Sequence, residues 1–560
     1  MSGLNLLVFR GDRRRASGKK LKAAITAHLE QLCGHHSQRT LLSALLLAGE
    51  LECGMAESDP QVARPCELLT DGIANALLAS EQVSFFDPEF QRPDLDFLIN
   101  AARALPVFEQ LSISTPEGFA YYALHPLVYA DVIRQLPACA HLLVVGIRSI
   151  GTTLSSVAAA AARARGIAAE RITVRPQGHP YNRTVEFTTE QMDAVCRAVS
   201  CGASFAVVDE GPGLSGSSFL AVAEALERAG APTEKITLIS SHAPNLDMLC
   251  AENAAYRWRR FRCIPIAGEA RRPAEAVEFI GGGQWRSRVF ASESEWPAVW
   301  TSFERLKYLS SGESDERRFF KFAGLGHYGD VVLQRERTVA AAGFGPRPCE
   351  ESDGFVSYQW VVYSKTSGRP ASSSDLSAPI LARLAEYCAF RLRTFATELS
   401  DLNALQQMAE HNLRELGLDL AVELRLERPV IADGRMQPHE WLLTTEGKFL
   451  KTDSGSHGDD HFFPGPTDIA WDLAGAIVEW QMNDQQTTEF LNLYRRASGD
   501  DACARIKDFI KAYAVFCLAY CLMAENAMNG SDEQLRLAST ATTYRAALTH
   551  MQACNLAAAV

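Results

Sequence analysis

The 560-residue sequence lacks several features that would each assign it to a familiar class of protein. It has 14 cysteines but no Cys-x-x-Cys pair, and their scattered spacings favour reduced thiols that pack, rather than a metal site or a disulfide framework. It has no signal peptide and no apolar run approaching the length of a membrane span, so we expect a cytoplasmic protein with no membrane partner. We find no internal repeat and no long low-complexity tract.

Basic residues are also too few for a general nucleic-acid binder. The chain has 67 acidic and 55 basic residues and a net charge of -12, which makes a nucleic-acid partner unfavourable. The basic opening GDRRRASGKK is interpreted as a solvated end of the chain. With 47% hydrophobic residues, the sequence can build ample cores, and its length predicts two or three domains.

The most informative segment is residues 205–231, FAVVDEGPGLSGSSFLAVAEALERAGA. An apolar run at 205–208 predicts a buried parallel strand, and the spacing of apolar residues from 219 to 229 predicts a helix. The Gly/Ser loop between them would offer free backbone N–H groups, hydroxyls and a helix N-terminus to a phosphate. Asp209 and Glu210 end the strand, where carboxylates suit vicinal ribose hydroxyls, directly or through Mg²⁺.

This order resembles the PRPP signature of the type I phosphoribosyltransferases, in which a hydrophobic strand, two acids and a small hydroxylated loop precede a helix. The family usually has Thr-Gly-Gly-Thr where this chain has Ser-Gly-Ser-Ser, so Gly216 matches and Ser217 replaces the second glycine. The resemblance implies that Asp209 and Glu210 grip the ribose, with Asp209 also a metal ligand. It further implies phosphate binding by Gly211, Gly213, Ser215, Gly216, Ser217 and Ser218.

A second element of that family is expected upstream, where HLLVVGIRSIGTT at residues 141–153 reads as a strand and a loop. Arg148 would face the pyrophosphate there, with Ser149 and Gly151 in the loop. The segment RPQGHPYNR, at 175–183, lies where the family keeps a mobile hood, and its prolines and glycine predict no regular structure. Arg175 and Arg183 are therefore candidate catalytic residues together with Asp209, Glu210 and Arg148, although a solvated surface loop is the alternative.

The C-terminal half contains FFKFAGLGHYGDVVLQRERTVAAAGFGP, DGFVSYQW, DGRMQPHEWLLTTEGKFLKTD and TDIAWDLA. In this order they resemble the aminoglycoside phosphotransferase and choline kinase group, the small-molecule branch of the kinase fold. The resemblance implies ATP binding with Mg²⁺, through a flexible loop, a strand Lys and a helix Glu. The corresponding residues are Gly281, Gly282 and Gly283 for the loop, Lys321 for the Lys, Glu336 for the Glu, and Asp453 for a metal ligand. The GxGxxG at 324–329 is interpreted as a helix-entry turn.

The catalytic loop departs from the family pattern H-G-D-x-x-P-x-N. Aligning Pro438 places Arg435 on the catalytic Asp and Glu440 on the metal-binding Asn. An arginine cannot accept a proton from a substrate, whereas Glu440 can still be a metal ligand. The HGDDH stretch from His457 to His461 has three interpretations: it supplies a displaced acid, binds a divalent metal, or caps a loop. Two interpretations of this half stay open, a divergent small-molecule kinase and a degenerate nucleotide-binding regulator.

These observations predict an α/β and α+β multidomain protein. We expect a helical region at residues 1–120, a doubly wound parallel-sheet phosphoribosyltransferase domain at 121–265 and a bilobal kinase-like domain at 266–560. The predicted function is PRPP-dependent transfer to an unidentified small-molecule or base acceptor, with ATP as the second ligand and a homodimer as the assembly. The alternative is a regulatory protein that binds nucleotides and catalyses no reaction.

Overall fold

The structure is a computed structural model that describes residues 4–11, 13–34, 37–82, 95–213, 215–266, 270–312, 316–360 and 369–559. Along the chain, a helical layer, a parallel sheet, an antiparallel sheet and a C-terminal helical region follow one another. In the described part of the chain, no helix is both long enough and apolar enough to cross a membrane.

The N-terminal region consists mainly of helices that cover one face of the parallel sheet. The helix α2 begins after Ser37, whose hydroxyl accepts the N–H of Thr40, and residues 40–56 are all buried. A helix buried on all sides belongs in the interior of a domain, and α2 lies at the centre of this layer. The elements are β1 (Arg13–Ala16), α1 (Gly18–Gly34), α2 (Gln38–Ser58), α3 (Arg64–Gln82), α4 (Leu95–Ala104), β2 (Leu111–Ser114), α5 (Glu117–Ala120) and α6 (Leu127–Gln135).

The basic opening of the chain forms a strand, and its arginines 13–15 are exposed to solvent, as its composition predicts. Strand β1 pairs antiparallel with β2, and Arg14 forms an ion pair with the buried Glu50 at 3.0 Å. Carboxylates of the helical layer therefore neutralise part of this basic run.

The middle of the chain forms a parallel sheet with helices on both faces, as the sequence predicts. Its five long strands lie in the order β4-β3-β7-β8-β9, and every neighbouring pair is parallel. The chain direction across the sheet reverses between β3 and β7, and such a switch point opens a crevice at the carboxyl ends of the strands. The elements are β3 (His141–Ile147), α7 (Ile150–Ala164), β4 (Ala168–Val174), β5 (Gln177–His179), β6 (Asn182–Thr184), α8 (Thr189–Ser200), β7 (Ser204–Val208), α9 (Ser217–Arg228), β8 (Ile236–Ser240), α10 (Ala254–Trp258) and β9 (Arg262–Pro265).

An antiparallel sheet of five strands follows, in the order β10-β11-β12-β14-β13. The GxGxxG stretch is the entry turn of its helix α12, as predicted: Gly324 and Gly326 have positive φ angles of 136° and 52°. The elements are β10 (Glu278–Phe279), α11 (Arg286–Val289), β11 (Lys307–Leu309), β12 (Arg318–Phe322), α12 (His327–Ala341), β13 (Cys349–Glu350) and β14 (Phe355–Gln359).

The C-terminal region is mostly helical and packs around buried aromatic residues such as Trp471, Trp480 and Tyr513. An antiparallel sheet followed by a helical region is the two-lobed order that the kinase-like prediction requires. The elements are β15 (Arg369–Pro370), α13 (Ala378–Thr394), α14 (Asn403–Glu415), β16 (Pro429–Ile431), β17 (Trp441–Leu443), β18 (Phe449–Lys451), β19 (Pro466–Asp468), α15 (Ala470–Glu479), α16 (Asp484–Ser498), α17 (Ile506–Ala527) and α18 (Asp532–Ala559).

The three predicted regions share their apolar cores. Leu6 and Val8, near the start of the chain, are buried in the core of the C-terminal region. Phe320 and Phe322 of the antiparallel sheet are buried in the same core as the N-terminal helices. The predicted domain boundaries at residues 120 and 265 therefore remain predictions.

Candidate functional sites

The acid pair Asp209 and Glu210 lies at the switch point of the parallel sheet, directly after β7. The loop after β3 approaches it closely, because a Cβ atom at Gly151 would be 2.7 Å from the backbone oxygen of Val208. Only glycine permits this contact between the first turn of α7 and the end of β7. The strand order thus brings together the two loops that the sequence predicts to form one site.

Both carboxyl groups of the pair are partly shielded from water and have backbone hydrogen bonds. Asp209 accepts the N–H of Glu210 at 2.9 Å, and Glu210 accepts the N–H of Gly118 at 3.0 Å. Burial raises the pKa of Asp209 to about 7. Burial, followed by repulsion from Glu117 and Asp209, raises the pKa of Glu210 to about 8. The pair is therefore partly protonated near neutral pH and ready to release protons when a ligand supplies donors.

The predicted phosphate loop, residues 211–218, leads into α9 as expected. Gly216 precedes the helix with a φ angle of 69°, and Gly213 also has a positive φ, at 58°. The hydroxyls of Ser215 and Ser217 donate to the carbonyl oxygen of Pro180, at 2.8 and 2.6 Å. These hydroxyls are thus engaged by a neighbouring segment of the chain and must be released before they can bind a phosphate.

That neighbouring segment is the predicted hood, and here the prediction of irregular structure is wrong. Strands β5 and β6 form a short antiparallel hairpin, with Gly178 at a φ angle of 92°. Pro180 lies at its tip and supplies the carbonyl that covers the loop. The hairpin therefore lies over the phosphate loop, which is the position expected for a hood.

The three predicted cations of this site are held by other partners. Arg148 donates to the hydroxyl of Thr173 at 3.2 Å and lies 3.7 Å from Glu57. Arg175 forms an ion pair with the same Glu57 at 2.9 Å. Arg183 donates to a backbone carbonyl within its own hairpin. Arg175 also lies near enough to Asp209 to oppose the rise in the pKa of that carboxyl. The roles of Arg148, Arg175 and Arg183 at this site stay predictions.

The second site lies between the antiparallel sheet and the C-terminal helical region, around Lys321. This buried side chain on β12 forms an ion pair with Asp453 and donates to the hydroxyl of Ser456 at 3.1 Å. Burial would raise the pKa of Asp453, but His457 and Lys321 outweigh it and hold that pKa well below its usual range. A charged carboxylate and an ammonium group thus face each other at the base of the cleft.

Glu336 of α12 has a different partner from the one predicted. Its carboxylate accepts the N–H of Gly455 at 2.8 Å and the hydroxyl of Ser454 at 3.0 Å. Among the residues that the structure describes, it forms no ion pair with Lys321. Glu336 therefore fixes the loop that follows Asp453, and through that loop it fixes the partner of Lys321.

A cavity of about 340 Å³ opens beside this ion pair. Its charged lining residues are Glu304, Arg305, Lys307, Lys321, Arg435, Glu440, Asp453 and Asp460, and its aromatic ones include Tyr121, Trp285, Trp300, Phe303, Phe319, Trp360 and Tyr520. Large rings with a few convergent charges are typical of a small-molecule site.

The predicted ATP loop does not reach this cavity. Gly281, Gly282 and Gly283 form a turn after β10, in which the N–H of Gly283 donates to Glu304 at 2.7 Å. None of the three glycines lines the cavity. A long connection, rather than a tight glycine loop, joins β10 to β11, and its Trp285 lines the cavity instead.

The loop aligned with the kinase catalytic loop also borders the cavity. Its backbone is held by Asp472, whose carboxylate accepts the N–H groups of Asp433 and Gly434 at 2.9 and 3.0 Å. Arg435, which the sequence alignment places on the family's catalytic acid, lines the cavity. This loop therefore contributes a guanidinium group to the cavity, whereas the family pattern has an aspartate.

The HGDDH stretch reaches the cavity through three of its residues, His457, Asp460 and His461. His457 lies 3.4 Å from Asp453. The side chain of Asp459 is outside the described part of the structure. Of the three interpretations of this stretch, the displaced acid therefore has a described candidate in Asp460.

Three groups in this region could ligate a metal: Asp433, Glu440 and His457, whose ligand atoms lie within 4.8 Å of one another. The ammonium of Lys451, however, lies 2.8 Å from Glu440 and 3.4 Å from Asp433. Burial would lower the pKa of Lys451, but these two carboxylates raise it, so the side chain stays charged. Because the Lys451 ammonium contacts both carboxylates of this donor set, the set does not fit Mg²⁺ as it stands.

The two sites share a wall formed by α5 and the residues after it. Gly118 donates its N–H to Glu210 at the first site, and a Cβ atom there would be 2.9 Å from the carboxyl carbon of Glu210. Tyr121 lines the cavity, and the hydroxyl of Tyr122 lies 3.3 Å from Nε2 of His461.

In comparisons with known proteins, no protein-family model and no curated protein matches the sequence. Choline kinase LicA from Streptococcus pneumoniae aligns at 14% identity over 43% of this chain and 90% of its own, with a TM-score of 0.28. A choline/ethanolamine kinase family protein from Mesorhizobium loti aligns at 14% identity over 43% of this chain and 84% of its own, with a TM-score of 0.31.

Macrolide 2'-phosphotransferase MphH from Brachybacterium faecium aligns at 11% identity over 46% of this chain and 94% of its own, with a TM-score of 0.30. These neighbours lend no support to a phosphoribosyltransferase domain. At TM-scores this low, the fold assignment rests on the strand order and the helices described above.

Proposed function

We propose that the cavity between the antiparallel sheet and the C-terminal helical region binds ATP or a similar nucleoside triphosphate. The observation that carries this proposal is the buried ion pair between Lys321 and Asp453 at the edge of a 340 Å³ cavity. A lysine on a strand is the group that kinases use to hold the α- and β-phosphates. Burial lowers the pKa of Lys321 and Asp453 opposes that change, so the charge of this lysine depends on a nearby anion.

The rings of the cavity suit the base of the nucleotide. Phe319 and Trp360 lie 5.8 Å apart between ring centroids, and Trp285 lies over the Lys307 ammonium at 5.6 Å. Flat apolar rings next to cations match a ligand with an aromatic base at one end and phosphates at the other.

Nucleotide binding that regulates the protein has more support than phosphoryl transfer. Arg435 lines the cavity. The sequence alignment pairs it with the acid that would accept a proton from an acceptor hydroxyl, and a guanidinium group cannot accept one. A small-molecule phosphotransferase is the second candidate for this cavity, because Asp460 lines it and could take over the role of that acid.

Isothermal titration with ATP, with and without Mg²⁺, tests the proposal. Lys321→Ala should weaken ATP binding by roughly tenfold or more, because the phosphates lose a charged hydrogen bond. The matched control is Lys448→Ala, whose side chain is 66% exposed in a turn and should leave the affinity unchanged. Equal ATP affinity in Lys321→Ala and the wild-type protein would contradict the proposal.

For the switch point of the parallel sheet, we propose a phosphorylated sugar such as PRPP as the ligand and phosphoribosyl transfer as the reaction. Two neighbouring carboxyls with raised pKa values face a glycine-rich loop that opens a helix. Carboxylates suit the two ribose hydroxyls, and the loop suits a phosphate once the hairpin β5–β6 moves away.

Titration with PRPP tests this second proposal. Asp209→Asn combined with Glu210→Gln should abolish PRPP binding, because amides are weaker acceptors for the two hydroxyls. Glu234→Gln, an exposed acid on the same unit, is the control and should bind as the wild-type protein does. PRPP binding that survives the double change would rule out this site.

A further inference from the structure

We infer that the cavity holds a phosphate group beside Arg435 and Arg305, in addition to the group that Lys321 binds. The inference rests on the proposed nucleotide site and specifies the chemistry at the other cations of the same cavity.

Arg435 and Arg305 differ from the other cations around the cavity in their partners. Lys321 is paired with Asp453, and Lys307 is paired with Glu304. In the described ranges, no carboxylate lies within 4.0 Å of either arginine. Arg305 donates instead to two backbone carbonyls, at 2.8 and 3.1 Å. Arg435 forms a side-chain hydrogen bond with Tyr520 and lies 5.6 Å from its ring.

His461 adds a donor to these two guanidinium groups. Its Nε2 lies 3.3 Å from the hydroxyl of Tyr122, while its Nδ1 is buried and has no partner in the part of the chain that the structure describes. In the tautomer whose Nε2 accepts from Tyr122, Nδ1 carries the proton and can donate it to a ligand. Burial, reinforced by nearby arginines and partly offset by Asp460, lowers the pKa of His461 to about 4, so the ring is neutral.

In the described part of the chain, neither guanidinium group has a carboxylate within 4.0 Å, although Asp460 and Glu440 act on Arg435 from farther away. In a partly dry cavity, an anion in direct contact with both groups would lower the cost of burying them. A phosphate dianion accepts several hydrogen bonds at once and matches their combined charge. The planar fork of arginine is especially suited to phosphate oxygens, and a cavity of about 340 Å³ has room for such a group.

The phosphate could belong to the nucleotide, as its terminal phosphate, or to a separate phosphate ester. Titrations of ATP, of ADP, and of inorganic phosphate into both free and ATP-saturated protein distinguish the two. The test variant is Arg435→Gln, and the control is Arg425→Gln, whose exposed side chain is remote from the cavity lining. Melting temperatures of all variants show whether they are folded.

If the terminal phosphate occupies the position, Arg435→Gln weakens ATP roughly tenfold or more relative to ADP, and inorganic phosphate does not bind the ATP-saturated protein. If a second ligand occupies it, ATP and ADP are unaffected, and inorganic phosphate binds the ATP-saturated wild-type protein but not Arg435→Gln. The inference is overturned if a folded Arg435→Gln changes neither the ratio of ATP to ADP affinity nor phosphate binding.

Failure of the nucleotide proposal can be separated from failure of this inference. If neither ATP nor ADP binds the wild-type protein, the nucleotide proposal is wrong, while phosphate binding to the free protein still tests the role of Arg435.

If Arg435→Gln does not fold, Arg435→Lys replaces it, because this change keeps the charge and loses the planar fork. Phosphate affinity in Arg435→Lys equal to that of the wild-type protein would then contradict the inference.

Discussion

Replacing the acid pair by neutral amides, Asp209→Asn with Glu210→Gln, should make the protein more stable at pH 8 while it abolishes ligand binding at the switch point. Both acids have raised pKa values in the folded chain, to about 7 and about 8. Between about pH 4 and pH 8 the folded state therefore binds more protons than the unfolded state. The contribution of the pair to the free energy of unfolding is completely present below about pH 4, and it is lost as the pH rises through the folded pKa values.

The size of the effect follows from the shifts. One pKa unit corresponds to about 1.4 kcal/mol, so each carboxyl could in principle cost about 4 kcal/mol at high pH. Both side chains keep some contact with water, and Asp209 itself raises the pKa of Glu210, so the two contributions overlap. We therefore expect the double variant to gain about 2 kcal/mol over the wild-type protein at pH 8, and little at pH 4.

Urea unfolding at pH 5, 6, 7 and 8 measures this difference directly. The side-chain amide oxygens introduced at 209 and 210 can still accept the N–H groups of Glu210 and Gly118, so no new unpaired donor should obscure the result. Glu234→Gln, an exposed acid, should reproduce the wild-type pH dependence. An equal pH dependence in the double variant and the wild-type protein would refute the argument that ionisation of these buried carboxyls lowers the free energy of unfolding.

Three further substitutions test other contacts. Glu336→Ala should lower the free energy of unfolding by roughly 2 kcal/mol and weaken ATP binding, because two donors of the loop after Asp453 lose their acceptor; unchanged thermal stability and affinity would contradict this. Gly118→Ala should weaken PRPP binding, because its Cβ would lie 2.9 Å from the Glu210 carboxyl carbon, and titration would show any retained affinity. Glu52→Gln should cost about 3 kcal/mol in urea unfolding, because it leaves the buried Arg171, paired at 2.7 Å, with less negative charge; a cost below about 1 kcal/mol would count against that ion pair.

Local patterns predicted the elements of the first site well. A short apolar run followed by two acids and a Gly/Ser loop gave the strand β7, the positions of Asp209 and Glu210, and the entry of α9. The partners of Arg148 and Arg175 could not be predicted, because Glu57 lies far away in the sequence, on a helix of the covering layer. A side chain's orientation depends on such long-range contacts, and local sequence spacing does not predict them.

Local patterns also indicated some residues of the second site, but they did not indicate its long-range contacts. Lys321 and Asp453 both line the cavity, and each follows or occupies a short strand with a recognisable pattern. No local pattern indicated that Glu336 would hold the loop at 454–455 or that Gly281–Gly283 would lie outside the cavity. Lys451 was also missed, although a charged residue in the otherwise apolar run Phe449–Lys451 could have drawn attention to it.

The central claim, a nucleotide site between the antiparallel sheet and the C-terminal helical region, is tested most directly by hydrogen exchange with mass spectrometry in the presence of ATP. We expect slower exchange in β12 and in residues 449–457, where Lys321, Asp453 and the loop held by Glu336 surround the ligand. The same protection should be absent in Lys321→Ala and retained in Lys448→Ala. Protection confined to residues 205–218, or none at saturating ATP, would contradict the claim.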